Sequence, residues 1–179
     1  MHLLIVAAVD FELDVARRVW HGEDVTFLRS GVGASATRGT LDTLLASGSF
    51  DRVLDIGIAG GCGPLVPIGS VVHVTAERHL DGDGLLLWNP DPWPALSFLP
   101  SATGNTLQVL DERFRTVPAD VETMEGAAFF ESCLRYGVSF AEVRAVSNLV
   151  GETDHAKWDI PLALKNLQQA LETLLNVLK

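Results

Sequence analysis

The stretch Val121-Glu122-Thr123-Met124-Glu125-Gly126-Ala127-Ala128-Phe129-Phe130 decides the class of fold, because an extended segment passes directly into a helix within it. The residue pattern predicts extended chain over Asp120 to Met124, a helix over Gly126 to Tyr136 and a further strand over Phe140 to Ser147. Strands that alternate with helices are typical of a largely parallel sheet with crossover connections. The stretch therefore predicts an α/β fold.

The rest of the chain repeats this alternation. Strands are predicted at Leu3 to Val9, Val25 to Leu28, Arg52 to Ile58 and Gly69 to Thr75, and helices at Ala34 to Ala46 and Leu107 to Phe114. Asp10 is expected to cap a first helix. The apolar face of that helix is expected to include Phe11, Val15, Val19 and Trp20.

The end of the chain predicts a long amphipathic helix. Asp159 is placed to cap it, and Pro161 suits its first turn. An apolar stripe at a spacing of three and four residues is formed by Leu164, Leu167, Leu171, Leu174 and Leu178. This stripe is expected to pack on a core or on another subunit.

One region, Glu77 to Gly104, predicts irregular structure. Its segment Asn89-Pro90-Asp91-Pro92-Trp93-Pro94 excludes regular strand pairing. The aromatic residues Trp88, Trp93 and Phe98 either cover a ligand or pack the connection itself.

Composition narrows the class of protein. A chain of 179 residues with 47% hydrophobic content suits one domain over residues 1–179. The formal charge of −10 would repel a phosphate backbone, so we expect no nucleic acid partner. Cys62 and Cys133 show no CxxC spacing, which indicates a reducing cytoplasm rather than a disulfide framework or zinc ribbon. We expect no membrane partner, because the apolar start runs into acidic residues and no stretch suits a bilayer span.

Polar groups follow the ends of several predicted strands. Glu12 comes just after the first, Gly57 to Gly61 is expected to form a turn, and Glu125 and Asn148 follow later strands. Because the carboxyl ends of parallel strands share one edge of a sheet, these groups are expected to converge on a ligand. Other interpretations remain open at this point: Glu12 as an exposed first-turn carboxylate and Asn148 as a turn residue.

Five motifs carry a resemblance to a known family. They are Ala7-Ala8-Val9-Asp10-Phe11-Glu12, Asp55-Ile56-Gly57-Ile58-Ala59-Gly60-Gly61, Met124-Glu125-Gly126-Ala127-Ala128-Phe129-Phe130, Arg144-Ala145-Val146-Ser147-Asn148 and Trp158-Asp159-Ile160-Pro161. With them, nearly the whole chain resembles the nucleoside phosphorylase and nucleosidase superfamily, and within it the futalosine hydrolases of menaquinone biosynthesis. The resemblance implies a three-layer α/β fold with a mixed, mostly parallel central sheet flanked by helices. It implies hydrolysis of the N-ribosidic bond of futalosine to hypoxanthine and dehypoxanthine futalosine. It also implies a homo-oligomer that needs no cofactor or metal.

The resemblance also implies roles for individual residues toward a small-molecule nucleoside. Glu12 resembles a base that orients water, and Glu125 would accept hydrogen bonds from the ribose hydroxyls. Met124 either packs against the sugar or belongs to the core. Asn148 would read a 6-oxopurine, since one amide offers both a donor and an acceptor. Ile58, Ala59, Gly60 and Ser147 are the other residues expected at the substrate, with Thr106 or Leu107 against the purine.

Three alternatives follow from the same residues. A phosphorylase needs cations for phosphate, whereas Asp55 and Ile56 stand where phosphorylases of this type have Arg and Ser, so water is the expected nucleophile. A nucleosidase for methylthioadenosine or adenosylhomocysteine would suit an aspartate at position 148 better than Asn148. A non-catalytic nucleoside-binding protein is the alternative outside enzymes, and retention of Glu12, Glu125 and Asn148 together argues against it.

Overall fold

A computed structural model describes residues 1–80, 84–108 and 117–179. The strands are β1 (Leu3–Ala7), β2 (Val25–Arg29), β3 (Arg52–Gly61), β4 (Val71–His79), β5 (Leu86–Trp88), β6 (Ser101–Thr106), β7 (Val121–Thr123) and β8 (Ser139–Leu149). The helices are α1 (Asp10–Val19), α2 (Ala34–Ser47), α3 (Gly126–Tyr136) and α4 (Ile160–Leu178), with short 3₁₀ turns at Pro94–Leu96 and His155–Lys157.

All of these strands join one mixed sheet. Its order is β2-β1-β3-β7-β6-β4-β5, and β8 pairs with both β3 and β4. Strand β8 runs parallel to β3, with Asp55 opposite Glu142, and antiparallel to β4. The pairings of β1 with β2 and β3, and of β6 with β4 and β7, are also parallel. The mixed, mostly parallel sheet confirms the predicted fold class.

Helices cover both faces of the sheet. On one face, α1 and α4 share a core with alternate residues of β1, β3 and β8, such as Ile5, Leu54 and Val143. On the other face, Phe129, Phe130 and other residues of α2 and α3 pack on the opposite side chains of the same strands. Three buried members of the predicted leucine stripe anchor α4, while Leu164 and Leu178 pack at its margin. Asp159 caps α4 as predicted, by accepting a hydrogen bond from the Leu162 amide.

Two predictions at the start of the chain are wrong. Helix α1 is capped at Val9 rather than at Asp10, because the Glu12 carboxylate reaches back and accepts the Val9 N–H. Phe11 is 45% exposed, whereas Val15, Val19 and Trp20 are buried as expected. The helix therefore presents Phe11 outside the core.

The predicted ends of several strands also need correction. Strand β3 does not stop at Ile58, and the expected turn at Gly57 to Gly61 is strand that pairs with β8 and β7. The irregular region Glu77 to Gly104 begins with the end of β4 and contains β5, the turn at Pro94–Leu96 and most of β6. Its Trp93 is buried in the core of the α1 and α4 face.

Two further observations complete the fold. The predicted helix Leu107 to Phe114 lies mostly outside the described residues, and the described Leu107 and Gln108 are not helical. None of the helices formed by residues 1–80, 84–108 and 117–179 has the length and hydrophobicity needed to cross a bilayer.

Candidate active site

A cleft of about 390 Å³ opens where β1, β3 and β8 end, beside the start of α3. Eight residues predicted to contact substrate line it: Glu12, Ile58, Ala59, Gly60, Met124, Glu125, Ser147 and Asn148. Other lining residues, which the sequence alone did not assign to a site, include Val9, Phe11, Val32, Glu122, Glu152 and Trp158. The structure thus brings the carboxylates and the amide of the sequence hypothesis to one cavity.

Two backbone N–H groups, one of them from β3, hold the carboxylate of Glu12. The Ile58 N–H donates to Oε1 at 2.9 Å, and the Val9 N–H donates to Oε2 at 3.3 Å. The side chain is only 4% exposed, so it is not a solvated first-turn carboxylate. Burial raises the pKa of Glu12 above its ordinary value, although these donors and Arg144 oppose the rise. A carboxylate of raised pKa is suited to accept a proton from water near neutral pH.

A buried arginine lies beneath Glu12. Arg144 donates from Nη2 to Asp55 and from Nε to Glu142 Oε1, the latter at 2.7 Å. A Cβ on Gly57 would collide with both Arg144 Nη1 and Glu12 Oε1, so both atoms border that glycine. The comparison with phosphorylases suggested that Asp55 would face the cleft. Its carboxylate instead binds Arg144 and does not line the cleft.

Glu125 lies between two helices. It precedes α3, and its Oε1 accepts the Gly33 N–H at 2.8 Å at the start of α2. Its Oε2 accepts the Met124 N–H at 3.3 Å. A carboxylate lining a cleft, with lone pairs beyond these two bonds, can accept further hydrogen bonds from hydroxyl groups.

Asn148 lies inside β8 and is 7% exposed, so it is not a turn residue that closes the strand. The Ser147 hydroxyl donates to its Oδ1 at 2.8 Å, and its Nδ2 donates to the Leu149 carbonyl at 3.1 Å. These bonds fix the amide plane. The side chain retains donor and acceptor capacity for a heterocycle that presents both kinds of group.

Two of the predicted substrate residues do not line the cleft. Thr106 is fully buried, where its hydroxyl donates to Glu77 at 2.8 Å and accepts the Ala127 N–H at 2.7 Å. Leu107 is 1% exposed and is likewise absent from the lining. The structure gives neither residue a surface for a purine.

Aromatic groups reach the cleft from other elements. Phe11 of α1 and Trp158, before α4, both line it, and the His155 ring lies 4.2 Å from the Trp158 ring. The sequence signal for Trp158 was its position directly before the Asp159 cap. No comparable signal marked Phe11, because its place in the amphipathic pattern of α1 fits the core equally well.

The charge of the lining limits the ligands that it can hold. Four glutamates line the cleft, and none of its described lining residues is Lys or Arg. In the part of the chain that the structure describes, no group of three or more His, Cys, Asp or Glu is arranged around a metal ion. The cleft thus disfavours a polyanion.

The sequence is similar to known proteins of one superfamily. A family model described as the phosphorylase superfamily matches residues 98–179. The futalosine hydrolase of Streptomyces coelicolor is 30% identical over 228 aligned positions that cover 100% of this chain and 97% of the relative. The futalosine hydrolase of Thermus thermophilus is 29% identical, covering 90% of this chain and 85% of the relative.

Solved structures share the fold. A methylthioadenosine/adenosylhomocysteine nucleosidase from Colwellia psychrerythraea, in complex with adenine, has a TM-score of 0.84 at 20% identity, covering 100% of this chain and 96% of that one. A futalosine hydrolase mutant from Helicobacter pylori has a TM-score of 0.82 at 13% identity, covering 98% and 99%.

Proposed function

This chain belongs to the futalosine hydrolase family of the phosphorylase superfamily, and on that basis we propose that it hydrolyses the N-ribosidic bond of futalosine. The products are hypoxanthine and dehypoxanthine futalosine. The observation that carries the proposal is the convergence of Glu12, Glu125 and Asn148 on one cleft.

The proposed chemistry assigns each polar group one task. Cleavage builds positive charge on the sugar and negative charge on the departing purine. Glu12 accepts a proton from the attacking water, whose oxygen bonds to the ribose carbon as the bond to the purine breaks. The departing purine takes up a proton from solvent. The charge of Arg144 stabilises the ionised form of Glu12. Glu125 accepts hydrogen bonds from the ribose hydroxyls, and Met124 packs against the sugar.

Water rather than phosphate is the proposed nucleophile. Binding phosphate requires cations or several neutral donors, whereas four glutamates and no described Lys or Arg line the cleft. The nearby guanidinium of Arg144 is engaged by Asp55 and Glu142. A phosphate ion here would be repelled by the carboxylates that line the cleft.

Asn148 is proposed to select the base. Hypoxanthine presents an acceptor at O6 and, when N7 is protonated, a donor beside it, and the amide of Asn148 matches both. Adenine with N7 protonated presents two donors, its amino group and N7–H, so an amide matches it less well than a carboxylate would. The Ser147 hydroxyl holds the amide in place.

Release of free base tests this proposal directly. Purified protein is incubated with futalosine, inosine and methylthioadenosine, each with and without phosphate, and the bases are separated by chromatography. We expect hypoxanthine from futalosine at a rate that phosphate does not change. Strict dependence on phosphate, or preferential release of adenine, would refute the hydrolase or the base assignment respectively.

We also propose that the chain acts as a single domain in a cytoplasmic homo-oligomer. Phe11 and Val32 at the edge of the cleft are 45% and 57% exposed, which supports their contact with a second subunit. The free cysteines Cys62 and Cys133 suit a reducing compartment. Light scattering during gel filtration measures the oligomeric state.

A further inference from the structure

Below the cleft, the sheet buries more acids than bases. Asp55, Glu77 and Glu142 are at most 2% exposed, and Arg144 is the only Lys or Arg among the buried residues that the structure describes. Ionising every one of these acids would leave buried charge without compensation, which is costly. Protons must therefore remain on part of this cluster.

The position of one such proton follows from hydrogen bonding. Glu77 Oε2 accepts from Thr106 at 2.8 Å, and Glu142 Oε1 accepts from Arg144 Nε at 2.7 Å. The other two carboxyl oxygens, Glu77 Oε1 and Glu142 Oε2, are buried and have no hydrogen-bond partner within residues 1–80, 84–108 and 117–179. A proton on Glu77 Oε1 would make that oxygen a donor to a neighbouring carboxylate.

Gly126 brings the two carboxyl groups together. A Cβ at this first residue of α3 would collide with Glu77 Oε1 and come within 3.0 Å of Glu142 Oε1, so these two carboxyl oxygens border the same glycine. Burial raises the pKa of Glu77 and of Glu142, and the charge of Glu142 raises that of Glu77 further. The same pair therefore shows both the missing donor and a physical reason to keep a proton.

Polar and charged groups from four elements surround the Glu77 and Glu142 pair. Arg144 lies on β8, Asp55 on β3, Thr106 on β6 and Cys133 on α3. The charge of Glu125, which precedes α3, also raises the pKa of Glu142. Arg144 is the one described cation in this set, and Asp55 also holds it.

The pair connects to the cleft through Arg144. Its guanidinium is bound by Asp55 at Nη2 and by Glu142 at Nε, which leaves Nη1 facing Gly57, the glycine that Glu12 Oε1 also borders. Because a guanidinium is planar, fixing two of its nitrogens fixes the third. The orientation of Glu142, together with that of Asp55, therefore sets the position of the Arg144 charge that acts on Glu12.

We propose that Glu77 is neutral near physiological pH and donates a hydrogen bond to Glu142, which thereby holds Arg144 in place beside Glu12. Glu77 and Glu142 are thus positioning residues for the base. The catalytic part of this inference rests on the proposed hydrolysis. The protonation of Glu77 does not, since it follows from the buried pair alone.

Thermal melting tests the proton without substrate. Glu77→Gln keeps a donor that cannot ionise, Glu77→Leu removes it, and Glu172→Gln makes the same chemical change on the surface of α4. At about pH 7 we expect Glu77→Gln to melt within about 2 °C of the wild type or above it, and Glu77→Leu to melt at least about 5 °C lower. A Glu77→Gln protein that melts closer to Glu77→Leu than to the wild type overturns the proposal.

The pH dependence of melting adds a second condition. A pKa that is raised in the folded state gives stability that is present at low pH and lost as pH rises through that pKa. Glu77→Gln cannot lose this proton. Its melting temperature relative to the wild type is therefore expected to hold or rise toward about pH 9. A relative decrease over this range overturns the proposal.

Kinetics test the link to Glu12. We expect Glu77→Leu to lower kcat by about tenfold or more with KM changed less than about threefold, and Glu77→Gln to restore most of the loss. Wild-type kcat in a folded Glu77→Leu protein overturns the positioning role.

If that variant does not fold, the alkaline limb of kcat/KM is compared in Glu77→Gln and the wild type. A limb at higher pH in Glu77→Gln is expected, and an unchanged limb overturns the role. If the wild-type protein does not hydrolyse futalosine, the proposed reaction is refuted. The melting experiments still test whether Glu77 is protonated, because they need no substrate.

Discussion

Replacing Glu12 by Gln is the most direct perturbation of the proposed mechanism. The substitution preserves shape and keeps an oxygen for the Ile58 N–H, which donates to Oε1 at 2.9 Å in the native protein. It removes the only function that an amide cannot supply, acceptance of a proton from water. Loss of a general base lowers turnover by about 10² to 10⁴, which corresponds to about 3 to 5 kcal/mol in the barrier.

The effect of this change on stability is expected to be small. The amide introduced by Glu12→Gln would place a donor toward the Val9 N–H, which costs about 1 kcal/mol for an unsatisfied group. Removing a carboxylate that is only 4% exposed offsets part of this cost. The melting temperature should therefore shift by less than about 4 °C.

Steady-state release of hypoxanthine from futalosine measures the change in kcat, with Glu172→Gln as the surface control. In the wild type, kcat/KM should fall on the acid side at a higher pH than an ordinary glutamate would give, because burial raises the pKa of Glu12. This acid limb should be absent from the residual activity of Glu12→Gln. Turnover within about threefold of the wild type would refute the assignment of Glu12 as base.

Three further perturbations test other parts of the molecule. Asn148→Asp should shift the ratio of kcat/KM from hypoxanthine toward adenine nucleosides by about 1 to 3 kcal/mol, and an unchanged ratio would remove Asn148 from the base site. Gly57→Ala should destabilise the fold by about 1 to 3 kcal/mol in denaturant titrations and lower kcat, because its Cβ collides with Arg144 and Glu12; a fully active, equally stable variant would contradict this packing. Burial lowers the pKa of His73 to about 4, so the stability it gives as a neutral group should be lost as pH falls from about 6.5 to about 4. His73→Leu should melt with a weaker dependence on acid, and an identical pH profile would show that His73 does not contribute.

The class of fold could be predicted from the sequence because local patterns and tertiary packing agree over most of the chain. The segment Gly126–Tyr136 is helical as predicted, and Asp159 caps α4. Failures occur where tertiary contacts override local signals. The glycines after Ile58 read as a turn, but β8 and β7 supply hydrogen-bond partners that keep them extended.

The site was predictable in part for the same reason. Glu12, Glu125 and Asn148 were predicted to follow the ends of strands, so topology alone suggested their convergence on the cleft. Phe11 could not be assigned, since the angle at which α1 leaves the sheet decides whether it meets core or cleft. Glu77 and Glu142 stand within strands as single acids, and the spacing of Glu142 and Arg144 by two residues was the one local sign of a buried ion pair.

The segment from Val150 to Asp159 is tied to the sheet at both ends. The Val150 N–H donates to Gly61 at 2.9 Å, and the Asp159 N–H donates to Ser147 at 2.8 Å while its side chain caps α4. Within it, the Trp158 indole N–H donates to the Glu152 carbonyl at 3.0 Å. Several residues of this segment line the cleft, so replacing it with the corresponding segment of a relative would also replace the residue that caps α4. A chimaera of this kind would therefore need the first turn of α4 from the same relative.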